Sequence, residues 1–356
     1  MEVEISADVL AAYGLDINRV NIEKLGLGHI NQTFLISTAS HQKYILQNIN
    51  TLVFTEPELI SQNIALVSNY LKVNFPEYLF PAPLPALDGS TMIKLDDQYW
   101  RMSPFISDSV SYLAVAEPKQ AYEAAKQFGK LSRLLDGFDA SQLNITIPGF
   151  HDLAWRFTQF QEALANTDFK KRELAAQEIE RTQHFHYIVD FFESFQRRHD
   201  FPQRVMHHDT KVSNVLLRRD TNEGICVIDL DTLMPGKFIS DLGDMMRTYL
   251  SAFSEEEEDL DKITIRIPFF EATIKGYLSE MAPYLTSTEK ELVLFSGKYI
   301  IYMQAIRFLT DYLNGSIYYP INHPTHNLIR SKNQFKLLQE LVKNEKILQD
   351  IINENL

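Results

Sequence analysis

The sequence predicts an α+β protein with two lobes, a small N-terminal lobe built on an antiparallel sheet and a larger helical C-terminal lobe. The main observation is a switch of periodicity: apolar and polar residues alternate in the first part of the chain and apolar residues recur at helical spacing afterwards. The second is size, since 356 residues with 45% hydrophobic content suffice for two cores. We place the boundary near Pro104, with an N-lobe over 1–105 and a C-lobe over 106–356.

The N-lobe elements follow from local patterns in chain order. A short helix is predicted at "SADVLAAYG", followed by a three-stranded antiparallel meander from about Asn21 to Asn50. A long helix is predicted at "EPELISQNIALVSNYLKVNF", where Pro57 suits a first helical turn. Two more strands are predicted within "PAPLPALDGSTMIKLDDQYWRMSPFI", with turns at Asp88-Gly89 and Asp96-Asp97.

Helical periodicity dominates the C-lobe. Helices are predicted at "EPKQAYEAAKQFGKLSRLLDGF", "FHDLAWRFTQFQEALAN" and "FKKRELAAQEIERTQHFHYIVDFFESFQRRH", with three more long segments towards the C-terminus. The exception is "VSNVLLRRDTNEGICVIDLDT", where two short apolar runs flank a polar turn. The acidic run "SEEEEDLD" is predicted to begin a helix, with Ser254 as N-cap and glutamates in the first turn.

Charge and cysteine content narrow the partners and the compartment. Asp and Glu outnumber Lys and Arg by 47 to 34, which disfavours a nonspecific grip on nucleic acid or an anionic membrane and favours a small-molecule partner. The single Cys226, in the apolar run "ICVID", is predicted to lie in the core. With no signal-peptide pattern and no apolar run of membrane-spanning length, we expect a cytoplasmic monomer.

The stretch "HHDTKVSN" followed by "ICVID" holds the residues that phosphoryl transfer from ATP requires. That reaction needs a base to orient the acceptor hydroxyl and cations to hold the phosphates. Asp209 suits the base, Lys211 suits charge balance on the moving phosphoryl group, and Asn214 and Asp229 offer oxygen ligands to Mg²⁺. Alone, the spacing D-x-K-x-x-N occurs by chance in solvated loops, but its pairing with an apolar run ending in Asp favours the catalytic interpretation.

These motifs resemble the aminoglycoside phosphotransferase superfamily, the small-molecule branch of the protein-kinase-like fold. Within it, "HHDTKVSNVLL", "VIDLDTLMPGKFISDLGDMMR" and "RFLTDYLNGSIYY" are similar to members that phosphorylate the anomeric C1 hydroxyl of N-acetylglucosamine and N-acetylgalactosamine. The resemblance implies a protein-kinase-like fold and a kinase that uses ATP and Mg²⁺. It supports Asp209 as base, Lys211 near the γ-phosphate, and Asn214 and Asp229 as metal ligands.

Three acidic residues beyond the strand have roles that the resemblance suggests less specifically. Asp231 points the same way as Asp229 on an extended segment, so it either joins the metal site or anchors the loop. Asp241 and Asp244 resemble positions that tie the catalytic loop to the start of a helix, which is a structural role. His207 and His208 are predicted to brace the same loop.

The nucleotide contacts are predicted in the N-lobe. The turn "GLGHINQT" sits where kinase-like proteins lay backbone N–H groups over the phosphates, and "WRMSPFIS" sits where they bind adenine against Met102 and the residues after it. The third strand carries Gln47 where a kinase places the phosphate-binding Lys, so either the metal ions or another cation such as Lys43 carries that charge. The predicted cofactor-binding residues are Gly26, Gly28, Asn31, Thr33, Gln47, Pro104, Phe105 and Ile106.

The acceptor site is predicted in "RFLTDYLNGSIYYPINHPTHN", which supplies polar and aromatic groups for a hexose. The predicted substrate-binding residues, besides Asp209, are Arg307, Asp311, Asn314 and Tyr318. A surface ion pair between Arg307 and Asp311, four residues apart on a helix, is the structural alternative. Two functional alternatives stay open: a kinase of the same fold acting on choline, homoserine, an aminoglycoside or another sugar, and a nucleotide-binding pseudokinase.

Overall fold

The predicted α+β class with a sheet-rich N-lobe and a helical C-lobe is confirmed. A computed structural model describes residues 5–26 and 30–356 of the chain. A five-stranded antiparallel sheet has the strand order β1-β2-β3-β5-β4. Its strands are β1 (Val20–Leu25), β2 (Gln32–Thr38), β3 (Lys43–Ile49), β4 (Ile93–Leu95) and β5 (Gln98–Pro104). Two helices accompany it, α1 (Ala7–Ala11) and α2 (Pro57–Asn74).

The two faces of this sheet have different roles because side chains alternate along each strand. Phe34, Leu46, Trp100 and Met102 are buried in a cluster that also receives Val9 and Leu10 of α1. The opposite face presents Gln47 of β3 directly across from Arg101 of β5. This second face therefore places two long polar side chains side by side above the C-lobe.

The predicted hairpin turn at Asp96-Asp97 is present in the N-lobe, but the segment before β4 does not form a strand. Asp96 and Asp97 both have positive φ angles, 49° and 62°, as a two-residue hairpin turn requires. Residues 81–86 lack regular secondary structure. Pro81, Pro83 and Pro85 have no N–H to donate to a ladder, so this stretch cannot pair as a strand along its length.

The C-lobe consists of helices around one large core, and its described strands form two small sheets, β10-β7 and β6-β8-β9. Its helices are α3 (Pro118–Leu134), α4 (Leu153–Asn166), α5 (Phe169–Leu174), α6 (Ala176–His184), α7 (Tyr187–Phe195), α8 (Ile239–Tyr249), α9 (Ile267–Met281), α10 (Ser287–Glu291), α11 (Val293–Leu313), α12 (His326–Lys343) and α13 (Glu345–Asn353). Its strands are β6 (Ser109–Val110), β7 (Arg204–Met206), β8 (Val215–Arg218), β9 (Gly224–Val227) and β10 (Met234–Gly236). The two apolar runs predicted around a polar turn are β8 and β9, which pair antiparallel.

Two predicted helical segments differ from the structure. The stretch 169–199 forms three short helices because the buried Ala175 and Phe185 pack into the interior, where tertiary contacts outweigh helix propensity. The acidic run after Ser254 is an irregular loop. Asn333 of α12 donates to the carbonyl oxygens of Ser254 and Glu257, both at 3.1 Å, so these carbonyls are bound from outside the segment.

Glycines allow two pairs of C-lobe helices to approach closely. A Cβ atom on Gly276 of α9 would lie 2.2 Å from the carbonyl oxygen of Tyr122 in α3. A Cβ atom on Gly243 of α8 would lie 2.2 Å from the carbonyl oxygen of Ser296 in α11. Since the obstacles are backbone atoms, neither contact can relax by a side-chain rotation.

Two further properties concern the burial of the cysteine and the hydropathy of the helices. Cys226 is buried, as its apolar surroundings in the sequence predict. Of the helices in the described part of the chain, none combines the length and the apolar character needed to span a membrane.

Replacing Gly276 by Ala should destabilise the protein by about 1–3 kcal/mol, because the added methyl group forces α3 and α9 apart. Urea unfolding followed by circular dichroism would measure this loss. Lys275→Ala, at the neighbouring exposed position of the same helix, is the matched control and should change stability by no more than about 0.5 kcal/mol. Equal midpoints for the two variants would contradict the close contact.

Candidate active site

The β8–β9 hairpin brings the two predicted metal-ligating residues to the same place. Asn214 directly precedes β8 and Asp229 follows shortly after β9, so the antiparallel pairing sets them at one end of the hairpin. The N–H of Ile228 donates to the Asn214 carbonyl oxygen at 2.8 Å, which fixes this alignment. The spacing seen in the sequence therefore corresponds to spatial neighbours.

Asp209 lies at the centre of a small polar group in the loop between β7 and β8. Its carboxylate is 3.0 Å from the Lys211 ammonium. The Asn214 side-chain amide donates to Asp209 Oδ2 at 3.0 Å and to the Asp209 carbonyl oxygen at 2.9 Å. Because the Asn214 amide nitrogen donates to Asp209, its side-chain oxygen points away from Asp209, with the Ser213 hydroxyl 3.5 Å from it.

The charges in this group keep Asp209 ionised. Burial alone would raise the pKa of the Asp209 carboxyl, but the adjacent Lys211 ammonium and other cations more than offset that effect and lower it. The Asp209 charge in turn raises the pKa of Lys211. The structure thus holds an ionised carboxylate and an ammonium group together at neutral pH.

Two carboxylates from the first turns of α8 hold the catalytic loop by its backbone, as predicted for Asp241 and Asp244. Asp241 accepts the N–H groups of His207 at 2.9 Å and His208 at 2.7 Å. Asp244 accepts the N–H of Thr210 at 2.8 Å. Burial raises the pKa of Asp241 to about 6, and this effect exceeds the opposite effect of its hydrogen bonds to His207 and His208. The Asp241 carboxylate is therefore shielded from water.

The two histidines that precede Asp209 brace its loop, as predicted. His207 Nε2 lies 3.0 Å from the Ile228 carbonyl oxygen. His208, in the left-handed region at φ 66°, has Nδ1 within 3.2 Å of the Met206 and Thr232 carbonyl oxygens. Burial lowers the pKa of His208 to about 4, so the ring is neutral and donates from Nδ1.

Asp229 has no polar partner within the described part of the protein. Its side chain is exposed, and among the described residues it forms no hydrogen bond or ion pair. Enclosure by protein, followed by the nearby Asp231 and Asp209 charges, raises its pKa to about 7. A carboxylate whose charge is this unfavourable is stabilised by a cation, so Asp229 and the Asn214 oxygen fit Mg²⁺.

The metal site would depend on ligands from outside the protein. Over residues 5–26 and 30–356, no cluster of three or more His, Cys, Asp or Glu side chains is arranged to hold a metal ion. Mg²⁺ commonly uses one or two protein ligands together with phosphate oxygens and water. The donor set present here matches that usage.

Asp231 is buried and bound to the N-lobe. Its carboxylate forms an ion pair with Arg101 and accepts the Asn31 side-chain amide at 2.7 Å. Arg101 also donates to the side-chain oxygen of Gln47 from Nε at 2.9 Å and from Nη2 at 2.8 Å. The Gln47 amide reaches Thr33 Oγ1 at 3.4 Å. Of the two roles left open for Asp231, the anchoring contact is therefore present, and the metal role stays a prediction.

Arg101 is the cation beside Gln47, and it was not predicted from the sequence. The proposed substitute Lys43 lies instead beside the Phe105 ring, with its ammonium 5.4 Å from the ring centroid. Glu58 of α2 accepts the Tyr99 hydroxyl at 2.5 Å and takes no part in the group. Only the cross-strand register of Gln47 and Arg101 could have revealed the pairing, and that register is a long-range property.

The remaining predicted nucleotide contacts lie at the two ends of the cleft. Gly26 ends β1 with φ 63°, while Gly28 falls outside the described residues. Pro104, Phe105 and Ile106 form the connection from β5 to the C-lobe, and the Ile106 carbonyl oxygen accepts the Ser109 hydroxyl at 2.6 Å. Met102 packs into the core on the far face of the sheet, so its predicted place in the adenine slot is wrong.

A cavity of about 340 Å³ between α4, α11 and the loop after α11 contains all four predicted acceptor residues of that region. These residues are Arg307, Asp311, Asn314 and Tyr318. Arg156 of α4 lines the same cavity and was not predicted from the sequence. Burial and the neighbouring Arg307 lower the pKa of Arg156 to about 10. Neither arginine forms an ion pair among the described residues, although the carboxylates of Glu162 and Asp311 also line the cavity.

Within this cavity, Arg307 and Asp311 have separate partners. Arg307 donates to Gln304 at 3.2 Å and lies 5.4 Å from the Phe150 ring centroid. The buried Asp311 accepts backbone N–H groups of the 317–319 loop and the Asn327 amide, at 2.8 to 3.0 Å. The alternative ion pair between Arg307 and Asp311 is therefore not formed, and Asp311 fixes the loop that carries Tyr318.

Aromatic rings connect this cavity to the catalytic loop. The Phe150 ring lies 6.3 Å from the His208 ring, between Arg307 and the residue preceding Asp209. His151 stacks on Phe150 at 4.5 Å and lies 5.3 Å from His208. The rings of Phe150, His151 and His208 thus form a continuous series of contacts from Arg307 to the Asp209 loop.

Solved structures with the same fold include nucleotide-dependent phosphotransferases. A spectinomycin phosphotransferase in complex with ADP and spectinomycin is 14% identical, with a TM-score of 0.60 over 96% of this chain and 97% of that one. An aminoglycoside phosphotransferase from Alicyclobacillus acidocaldarius is 10% identical, with a TM-score of 0.64 over 98% of both chains. Amicoumacin kinase in complex with AMP-PNP, Ca²⁺ and Ami is 12% identical, with a TM-score of 0.60 over 94% of this chain and 91% of that one.

Family membership follows from the sequence itself. Residues 21–280 match the sequence profile of the phosphotransferase enzyme family (APH). The matched range contains the braced Asp209 loop, the β8–β9 hairpin and the Arg101 contact described above. Because the match covers well over half of the chain, the protein belongs to the phosphotransferase enzyme family.

Proposed function

We propose that this protein is an ATP- and Mg²⁺-dependent kinase that phosphorylates the anomeric C1 hydroxyl of an N-acetylhexosamine. The nucleotide would lie between an N-lobe over 1–105 and a C-lobe over 106–356. The observation that carries the proposal is the convergence of Asp209, Asn214 and Asp229 at one end of the β8–β9 hairpin. Its products would be ADP and the sugar 1-phosphate.

Asp209 would orient the acceptor hydroxyl and take its proton late in the reaction. Phosphoryl transfer passes through a loose transition state, so the oxygen nucleophile needs little activation before bond formation. The lowered pKa of Asp209 fits this demand, because a carboxylate ionised at neutral pH accepts a hydrogen bond from the hydroxyl. The anomeric hydroxyl loses its proton to Asp209 as its bond to phosphorus forms.

Asn214 and Asp229 would hold Mg²⁺, and Lys211 would balance charge on the transferred group. When bound, the metal neutralises and aligns the phosphate oxygens. Lys211 is half-exposed beside Asp209, so its ammonium can follow the phosphoryl group while remaining near the base. Asp241 and Asp244 keep the loop in place during this exchange through the backbone hydrogen bonds of the loop.

The acceptor cavity supports a polar, uncharged or anionic acceptor in preference to an amine. A volume of about 340 Å³ is at the small end of ligand sites and suits a monosaccharide. Arg156 and Arg307 would repel a cationic amine such as choline or an aminoglycoside. The rings of Phe150, Tyr318 and Tyr319 around Arg307 offer apolar surface for a sugar face or an N-acetyl methyl group.

ADP release measured with a panel of free acceptors tests this function. Release that depends on N-acetylglucosamine or N-acetylgalactosamine, with phosphorus NMR placing the phosphate on C1, is the expected result. Release with choline, homoserine or an aminoglycoside would redirect the assignment to another kinase of this fold. If the protein binds ADP but no acceptor stimulates ADP release, it would be a pseudokinase.

Asp209→Asn should lower the turnover of N-acetylhexosamine by about 10²–10⁴-fold, because an amide cannot accept the hydroxyl proton. Its Kd for ADP, measured by calorimetry, should stay near the wild-type value. Asp220→Asn, in the exposed turn of the same region, is the matched control and should retain wild-type turnover. Near-wild-type turnover by the Asp209 variant would remove the base assignment.

Arg307→Met should raise the KM for the sugar by about tenfold or more, because a charged donor to the acceptor is lost. The Kd for ADP should be unaffected, since the cavity lies on the acceptor side of the catalytic loop. Steady-state kinetics with varied sugar would measure the effect, with the exposed Arg197→Met as control. An unchanged KM would exclude Arg307 from sugar binding.

A further inference from the structure

The position of Gln47 leaves open how this chain supplies a positive charge to the nucleotide phosphates from its N-lobe. Gln47 stands on β3, and the register of the sheet sets Arg101 of β5 directly opposite it. Arg101 is only 3% exposed and Asp231, its partner, 2%. A cation and an anion are therefore buried immediately behind a neutral amide.

The hydrogen bonds determine which way the Gln47 amide faces. Its oxygen accepts two N–H groups of the same guanidinium, at 2.9 and 2.8 Å. A side-chain amide held by its oxygen in this way must direct its NH₂ group to the opposite side. On that side lies Thr33, at 3.4 Å, in the strand that follows the glycine-bearing turn. The amide NH₂ thus faces β2 and the Thr33 hydroxyl, on the side of Gln47 away from Arg101.

The Arg101–Asp231 pair carries no net charge, and a lysine–glutamate pair would carry none either. What distinguishes the Arg101–Asp231 pair is its location: Arg101 is on β5, and Asp231 is in the C-lobe, two residues from Asp229. A buried ion pair is by itself weak evidence for a stabilising role, since apolar residues of similar volume often serve as well. The pair contacts Gln47 and Asn31, both of which are predicted nucleotide-binding residues, and this points to a role in binding.

We propose that Arg101 is a positioning residue for the nucleotide: it orients and polarises Gln47, which donates its NH₂ group to the α- or β-phosphate. Asp231 holds Arg101 in place and neutralises it. This inference rests on the proposed kinase function, because it requires a nucleoside polyphosphate in the cleft. It assigns Gln47 and Arg101 together to the task that a single lysine performs in related folds.

Gln47→Glu gives the sharpest test, since the new carboxylate still accepts both Arg101 N–H groups but offers no donor to a phosphate. Calorimetry with ADP and Mg²⁺, and with adenosine alone, separates phosphate contacts from base contacts. We expect a loss of about 10- to 100-fold in ADP affinity and no change for adenosine. Lys94→Gln, on the exposed edge strand β4, is the control that removes a charge from the same sheet and should change neither affinity.

The role of Arg101 itself is tested by moving the cation. Arg101→Gln should lose ADP affinity selectively, and the double variant Arg101→Gln with Gln47→Lys should recover it, because a lysine at position 47 returns a charged donor to the phosphates. The inference would be overturned if Arg101→Gln lost affinity equally for ADP and adenosine. It would also be overturned if the double variant bound adenosine normally but did not recover its ADP affinity. Failure of the wild-type protein to bind ADP would instead overturn the kinase assignment on which it rests.

Discussion

The carboxylate of Asp231 joins the two lobes, and the geometry of the cleft depends on it. One of its oxygens binds Arg101 of the sheet and the other binds Asn31 at the start of β2. Without its partner, Asp231 or Arg101 would be a buried, uncompensated charge, and the Asn31 amide would lose its acceptor. Removing one partner of such a buried ion pair strongly lowers the stability of the fold. The same contacts continue through Gln47 to Thr33, so the strands β2, β3 and β5 are all fixed relative to the C-lobe.

A second set of carboxylates fixes the catalytic loop from below. Asp241 and Asp244 bind the loop by main-chain N–H groups, so the side chains of Asp209 and Lys211 remain available for chemistry. Asp229 is treated differently, since it has negative neighbours and no compensating partner among the described residues. The acids that position the backbone are thus hydrogen-bonded, whereas Asp229, the predicted metal ligand, has no such partner among the described residues.

The sequence predicted the parts of the site that depend on short separations along the chain. Asp209, Lys211 and Asn214 lie within one loop, and a single hairpin adds Asp229, so spacing alone places them. Arg101 was missed because its role depends on strand register and on a partner 130 residues away. The loop after Ser254 was mistaken for a helix for the same reason, since Asn333, 79 residues away, binds its carbonyl oxygen. Local propensity carries no information about such partners.

The contact of Gly243 with the backbone of α11 links the Asp209 loop to the cavity that contains Arg307. Helix α8 carries the brace for the Asp209 loop, and α11 carries Arg307 of the acceptor cavity. Where these helices touch, not even a methyl group fits between them, so they cannot shift against each other without breaking the contact. Substitutions of the side chains that line the cavity would therefore change its shape and charge without changing the distance between the Asp209 loop and Arg307.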